Sequence, residues 1–251
     1  MILAALPDPA RIRAILLDIE GTTTPIAFVY EVLFPFASAH LEQFLHQNCD
    51  RRGVRDDLKA LAAEHAAEPR EAAGLPPWRD DSSNELVVSA IAYARWLMDR
   101  DRKSTVLKSL QGKIWEAGYR SGELRGQVFP DVARAFARWR QQKRGIAIFS
   151  SGSVLAQRLL FGHSTAGDLT PFISTYFDTT SGPKLSRESY RRIATALECA
   201  PAEIVFLSDV VAELDAARGA AMETLLCVRP GSWEPGSAAE AIIHTFDELF
   251  P

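Results

Sequence analysis

The chain has 251 residues, 47% hydrophobic and 24% charged, enough to bury a large core and too apolar for disorder to be the default reading. Its net charge of -4 and pI near 5.8 exclude a general attraction for nucleic acid or anionic membrane, so an anionic ligand needs a local site. Cys49, Cys199 and Cys227 are far apart and form no CxxC pair, which argues against a zinc site or disulfide framework and for a reducing, cytoplasmic setting.

The opening MILAALPDPARIRAILL lacks the basic start of a secretory signal, and Pro7 and Pro9 interrupt its apolar run. No stretch approaches the roughly 20 apolar residues of a membrane span. Ile12 to Leu17 is a short β-prone run ending at Asp18, and Gly21 to Thr24 then opens a loop before Pro25. From Phe28 to about Asn48 the pattern turns helical, with Pro35 expected to start, kink or split a helix. Between about 50 and 125 the chain is rich in Ala, Arg, Glu and Asp, without a convincing strand. Its clearest helix runs from Asn84 to Arg100, where Val87, Ile91, Ala94 and Met98 recur at helical spacing behind N-cap candidates at 81–84. Residues 26–126 are therefore expected to form a helical insertion, and 1–25 plus 127–251 the main domain.

Beyond Asp131 short apolar strands alternate with helices. Ile146 to Phe149 runs into Ser150-Ser151-Gly152-Ser153 and a helix from Val154; Phe177-Asp178 ends another strand; Ser186 to Leu197 is helical; Ile204 to Leu207 runs into Ser208-Asp209; Ala212 to Ala220 is helical; Glu223 to Val228 is a strand. Alternation with strands of four to six apolar residues predicts an α/β, Rossmann-like, doubly wound parallel sheet. Ligands of such sheets lie beyond the carboxyl ends of the strands, where Asp18, Ser150-Ser151 and Asp209 all fall.

Asp18 and Glu20, two acids one residue apart past a strand, can serve as nucleophile and acid/base toward phosphorus, or as plain turn residues. Thr22 is a candidate to hydrogen-bond the nucleophile or its loop. Ser150 and Ser151 offer an anion site of hydroxyls and backbone N–H groups, or an N-cap. Lys184, before a helix, can bridge nucleophile and phosphate, or simply be solvated. Asp209 suits a hard Mg²⁺ ligand or an N-cap; Glu213, one turn further, can hold a metal-bound water, and Asp215 reads as surface charge. The five histidines, at 40, 46, 65, 163 and 244, show no metal-ligand spacing, and neither a GxSxG elbow nor a Walker A loop is present.

Together these motifs resemble the haloacid dehalogenase superfamily. The stretches DIEGTTTPIAFVYEVLFPFA, LQGKIWEAGY, IFSSGSVLAQRLLFGHSTAGDL and FLSDVVAELDAA resemble, more closely, its enolase-phosphatase family of methionine salvage. The resemblance implies a Rossmann-like core with a helical cap inserted after the first motif. It implies one Mg²⁺ per subunit on the Asp18 side chain, the Glu20 main-chain carbonyl and Asp209. It also implies phosphate contacts from Ser150, Ser151 and Lys184, with Asp18, Glu20 and Lys184 catalytic. The implied substrate is a small molecule, 2,3-diketo-5-methylthiopentyl-1-phosphate, enolised and then dephosphorylated to an acireductone; the implied assembly is a monomer. Most phosphatases of the superfamily carry Asp where this chain has Glu20, and Glu is the choice of the narrower family. The alternatives are a sugar-phosphate phosphatase or phosphomutase of the same superfamily, a dehalogenase working without Mg²⁺, and, from another class, a phospho-aspartate signalling receiver, which is about half this length.

Overall fold

The computed structural model describes residues 6–69, 72–231 and 241–251. The chain divides into two compact units, one formed by Met1–Val29 with Arg125–Pro251, the other by Tyr30–Leu124.

Among the described residues, the first unit is built on a six-stranded sheet in the order β3-β2-β1-β4-β5-β6, every neighbouring pair parallel. The strands are β1 (Ala14–Leu17), β2 (Gly145–Phe149), β3 (Thr175–Phe177), β4 (Ile204–Ser208), β5 (Glu223–Cys227) and β6 (Ile242–Ile243). β1 is central: Ile15 stands opposite both Ile146 and Val205, and Leu17 opposite Ile148 and Leu207. All four residues of AILL are buried, as a strand covered on both faces requires. The order reverses direction at β1, so the crevice beyond the carboxyl ends of β1 and β4 is where such a sheet binds ligands.

Each helix of this unit presents one apolar stripe to the sheet. Along α5 (Val132–Gln141), Val132, Ala135, Phe136 and Trp139 are buried, while Arg134 and Arg138 bond Asp247 on the other side. α6 (Val154–Gly162) follows β2, α7 (Arg187–Ala196) follows β3, and α8 (Val211–Gly219) follows β4. Tyr190, Ile193 and Ala194 of α7 and Leu214 and Ala217 of α8 pack with Leu16, Phe149 and Phe206 in one core cluster. Burial of that size, at about 1.5–3 kcal/mol per large apolar side chain, holds the strand ends in place.

The second unit is built of helices joined by loops, with no strand among its described residues. A wide-wound turn, Phe28–Leu33, leads into α1 (Phe34–Asn48), with Pro35 in the first turn, where a missing N–H costs nothing. α2 (Arg52–Ala66), α3 (Ser83–Asp99) and α4 (Thr105–Ser121) complete it. Ser82 and Ser104 cap α3 and α4, accepting the Glu85 and Leu107 N–H groups. Leu41, Leu45, Leu58, Leu61, Ala90 and Leu110 form its own core. No helix among the described residues is long and apolar enough to cross a membrane.

Candidate active site

Four loops leave the carboxyl edge of the sheet, and each brings polar groups into the crevice. Asp18 directly follows β1, is 2% exposed, and donates its backbone N–H to the Leu207 carbonyl of β4 at 3.0 Å. The chain then turns sharply: the N–H groups of Thr22, Thr23 and Thr24 all donate to the Ile19 carbonyl, and Gly21 N–H donates to Thr24. Gly21 has φ +71°, and a Cβ there would collide with the Asp209 carboxylate, so the turn can lie against β4's loop only with glycine. Thr22 does not play the part expected of it: its hydroxyl is buried with no partner among the described residues, and Thr23 instead donates to the Asp18 and Ile19 carbonyls at 3.1 and 3.3 Å. The reversal places the Thr23 side chain, not its neighbour's, over those two carbonyls.

After β2, Ser153 is the residue that caps α6, accepting the Ala156 N–H at 3.3 Å. Ser150 and Ser151 are thereby free of that role. Ser150 is buried and accepts the Gly152 N–H at 3.1 Å, while Ser151 is exposed. Gln157, also buried, donates to the Gly152 and Phe177 carbonyls at 2.8 and 2.9 Å and ties this turn to the end of β3. Asp178 fastens the same junction from below, accepting Thr180 N–H at 2.9 Å, Thr180 Oγ1 at 2.6 Å and Val154 N–H at 3.3 Å. Burial raises the Asp178 pKa, but these hydrogen bonds outweigh it and hold the carboxyl below its ordinary value.

Lys184 is 9% exposed. Gly182, at φ +119°, turns the chain where a side chain would strike Ser189, and Tyr190 Oη holds the Lys184 carbonyl at 2.8 Å. The ammonium reaches Asp18 Oδ1 and Glu213 Oε2, each at 2.6 Å. Burial disfavours its charge, yet the two carboxylates prevail and its pKa is raised. Ser208 Oγ donates to Glu213 at 3.0 Å and lies 3.4 Å from Asp18 Oδ2.

Asp209 is not an N-cap: α8 starts after Val210, with no side-chain cap. Asp215 lies on the surface and pairs with Arg218 at 2.7 Å. Around Asp18, burial first and then the negative neighbour raise the pKa values of Glu20 and Glu213, and push that of Asp209 up to about 7. Four carboxylates thus share one ammonium in a desolvated crevice, a charge imbalance that a cation relieves. Among the described residues no three His, Cys, Asp or Glu side chains form a ready metal cage. Two carboxylates and a main-chain carbonyl do suit Mg²⁺, a hard ion that takes few protein ligands and keeps several waters. Beside Asp209, a cavity of about 550 Å³ is lined by Gly21, Phe129 and Arg229 among others, but not by Asp18 or Lys184.

Sequence reasoning missed the pairing of Glu213 with Lys184 and the bridging hydroxyl of Ser208. The signal was present as Ser-Asp followed by an acid one helical turn on, but the partner lysine lies far away in sequence.

A family model described as haloacid dehalogenase-like hydrolase matches residues 12–221. The chain belongs to that family, whose fold and crevice the sheet order and the Asp18 site already define. Within it, the chain belongs to the enolase-phosphatases: it is 52% identical to Enolase-phosphatase E1 of Synechococcus elongatus, over 97% of this chain and 100% of that one. It is 45% identical to Enolase-phosphatase E1 of Sorangium cellulosum over 99% of this chain and 100% of that one. Among solved structures, the UTR4 protein of Saccharomyces cerevisiae superposes with a TM-score of 0.78 at 33% identity, over 95% of this chain and 100% of that one.

Proposed function

We propose that the chain is a Mg²⁺-dependent enolase-phosphatase acting on 2,3-diketo-5-methylthiopentyl-1-phosphate in methionine salvage. The observation that carries the phosphatase half is the buried Asp18–Lys184–Glu213 group at the end of the central strand, with Asp209 beside it. The enolase half is supported by the names of the relatives.

In this reading a carboxylate oxygen of Asp18 attacks phosphorus, and the phosphorus–oxygen ester bond breaks as the acyl phosphate forms. Lys184 holds Asp18 in one orientation and offsets the repulsion between carboxylate and phosphate. Glu213 and Tyr190 keep Lys184 there. Ser150, Ser151 and nearby N–H groups bind the non-bridging phosphate oxygens. Glu20, whose pKa is raised by burial and then by Asp18, gives a proton to the departing alkoxide. It then takes a proton from the water that cleaves the acyl phosphate, which releases inorganic phosphate and restores Asp18. Asp18, Asp209 and the Glu20 carbonyl would hold one Mg²⁺, whose chemistry is to draw charge from the phosphoryl oxygens. Exposed Leu185 beside Lys184, and Val210 and Val211 beside Asp209, suit a substrate with an apolar tail. The helical insertion serves as the cap domain, and the protein works as a cytoplasmic monomer.

The test is phosphate release from the diketone phosphate with and without Mg²⁺, with enol absorbance followed in parallel. Metal-dependent release with a transient enol is expected. Release only from ordinary sugar phosphates, or without an enol, overturns the substrate assignment; turnover without metal overturns the metal assignment.

A further inference from the structure

Arg229, two residues past β5, is a buried cation that the reaction as written does not use; it is 3% exposed. Its guanidinium carbon lies 4.4 Å from the ring centroids of both Phe129 and Phe246. Nη1 donates to Asp131 Oδ2 at 2.7 Å and to the His244 carbonyl at 3.3 Å. Nε donates at 2.8 Å to the Thr22 carbonyl, inside the turn that follows the nucleophile. Nη2 is buried and has no hydrogen-bond partner among the described residues.

For stability alone this is a poor choice, because an apolar residue of similar volume avoids both the desolvation of a charge and the orphaned N–H groups. A guanidinium does offer a rigid planar fork that fixes two acceptors relative to each other, which neither an apolar side chain nor a lysine provides. One acceptor is Asp131, itself anchored by the Phe246 N–H at 2.6 Å and Thr245 Oγ1 at 3.2 Å. The other is the turn that carries Glu20 on one side and rests Gly21 against the Asp209 carboxylate on the other. The next carbonyl, of Thr23, is held by the Phe129 N–H at 3.0 Å, so the turn is gripped twice from the same wall.

We infer that Arg229 is a positioning residue: through the Thr22 carbonyl it fixes the turn that sets Glu20 and Asp209 relative to Asp18. This role rests on the phosphatase reading above for its kinetic consequence, and on geometry alone for its effect on the turn.

The test compares Arg229→Lys with Thr245→Val in the full-length protein with Mg²⁺. Thr245→Val weakens the same anchor without touching the turn. Arg229→Lys is expected to lower kcat for phosphate release roughly 10–100-fold with KM within about threefold, as loss of alignment does. It is also expected to speed amide exchange in the peptide 18–25 at least about tenfold. Thr245→Val should lower Tm and leave both readouts unchanged. Unchanged exchange at 18–25 in Arg229→Lys overturns the inference, whatever happens to the rate. Loss of activity in Thr245→Val equal to that in Arg229→Lys overturns it too, because a general loss of packing then explains both. If the wild-type protein releases no phosphate, the phosphatase reading fails, while the exchange comparison still decides whether Arg229 holds the turn. Should Arg229→Lys not melt cooperatively, Phe129→Leu, which removes one face from the intact guanidinium, is expected to move exchange and kcat in the same directions; no change in exchange overturns the inference there.

Discussion

A lysine shared by two carboxylates at 2.6 Å has one orientation available, and it imposes that orientation on Asp18. Removing the ammonium therefore does two things: it frees Asp18 and leaves two buried carboxylates facing each other. Lys184→Ala is expected to lower kcat at least about 100-fold, in line with the loss of a preorganised charge partner. Glu213→Gln keeps the shape but weakens the grip on Lys184, and a smaller loss, roughly tenfold, is expected; equal losses in steady-state assays would show that Glu213 does more than hold the lysine. Asp18→Asn should abolish phosphate release in a protein whose melting curve remains cooperative, and substantial turnover by it would rule out the covalent route. Asp18 and Asp209 could be placed at the crevice from the sequence because each follows a strand; Lys184, readable from its residues as either bridging or solvated, was singled out by the family resemblance. Thr22 was misjudged because four consecutive turn residues leave the facing of each hydroxyl to be decided by the reversal itself. Ser208, Glu213 and Arg229 were not legible as a set, since Asp18, Lys184, Thr22 and Asp131, to which they bond, lie far away in sequence.

At the scale of elements, the junction of β2, β3 and α6 is held by few groups, so each one counts. Asp178→Ala removes three accepted hydrogen bonds and is expected to cost ~1 kcal/mol at neutral pH, about the cost of losing a capping side chain. Because the folded-state pKa of Asp178 is lowered, its contribution is fully present above the unfolded value and is lost as pH falls through the folded one. The difference in stability between wild type and Asp178→Ala should therefore shrink as pH drops below about 4; a constant gap in urea titrations from pH 7 to pH 3 would refute the ionised accepting role. The strands β1 to β5 were readable from apolar runs closed by turn residues. β6 was not, as two residues carry no periodicity. In the second unit the single clear helix at 84–100 corresponds to α3, Ser83–Asp99, whereas α2 and α4 read only as general helical character. Their apolar stripes are diluted by Ala and Gly, which pack closely without standing out in sequence.

For the whole molecule, the excess of carboxylates in the crevice means that the proposed Mg²⁺ would couple metal binding to fold stability. Mg²⁺ bound only by the native state adds stability by mass action, about 2.7 kcal/mol at a hundredfold excess over Kd. Adding Mg²⁺ to EDTA-treated protein is expected to raise Tm and to restore turnover, and Asp209→Asn should abolish most of the Tm rise. A wild-type Tm indifferent to Mg²⁺ would count against the ligand set.

The central place of β1 has a consequence for how the protein is made. Its neighbours in the sheet, β2 and β4, begin at Gly145 and Ile204, so during synthesis the strand that bears Asp18 waits for the far end of the chain. At about 5–20 residues per second, that wait is on the order of ten to forty seconds. The helices between residues 30 and 124 contact one another and can mature on the ribosome during that interval. The apolar AILL segment meanwhile has no sheet to join and stays open to a chaperone.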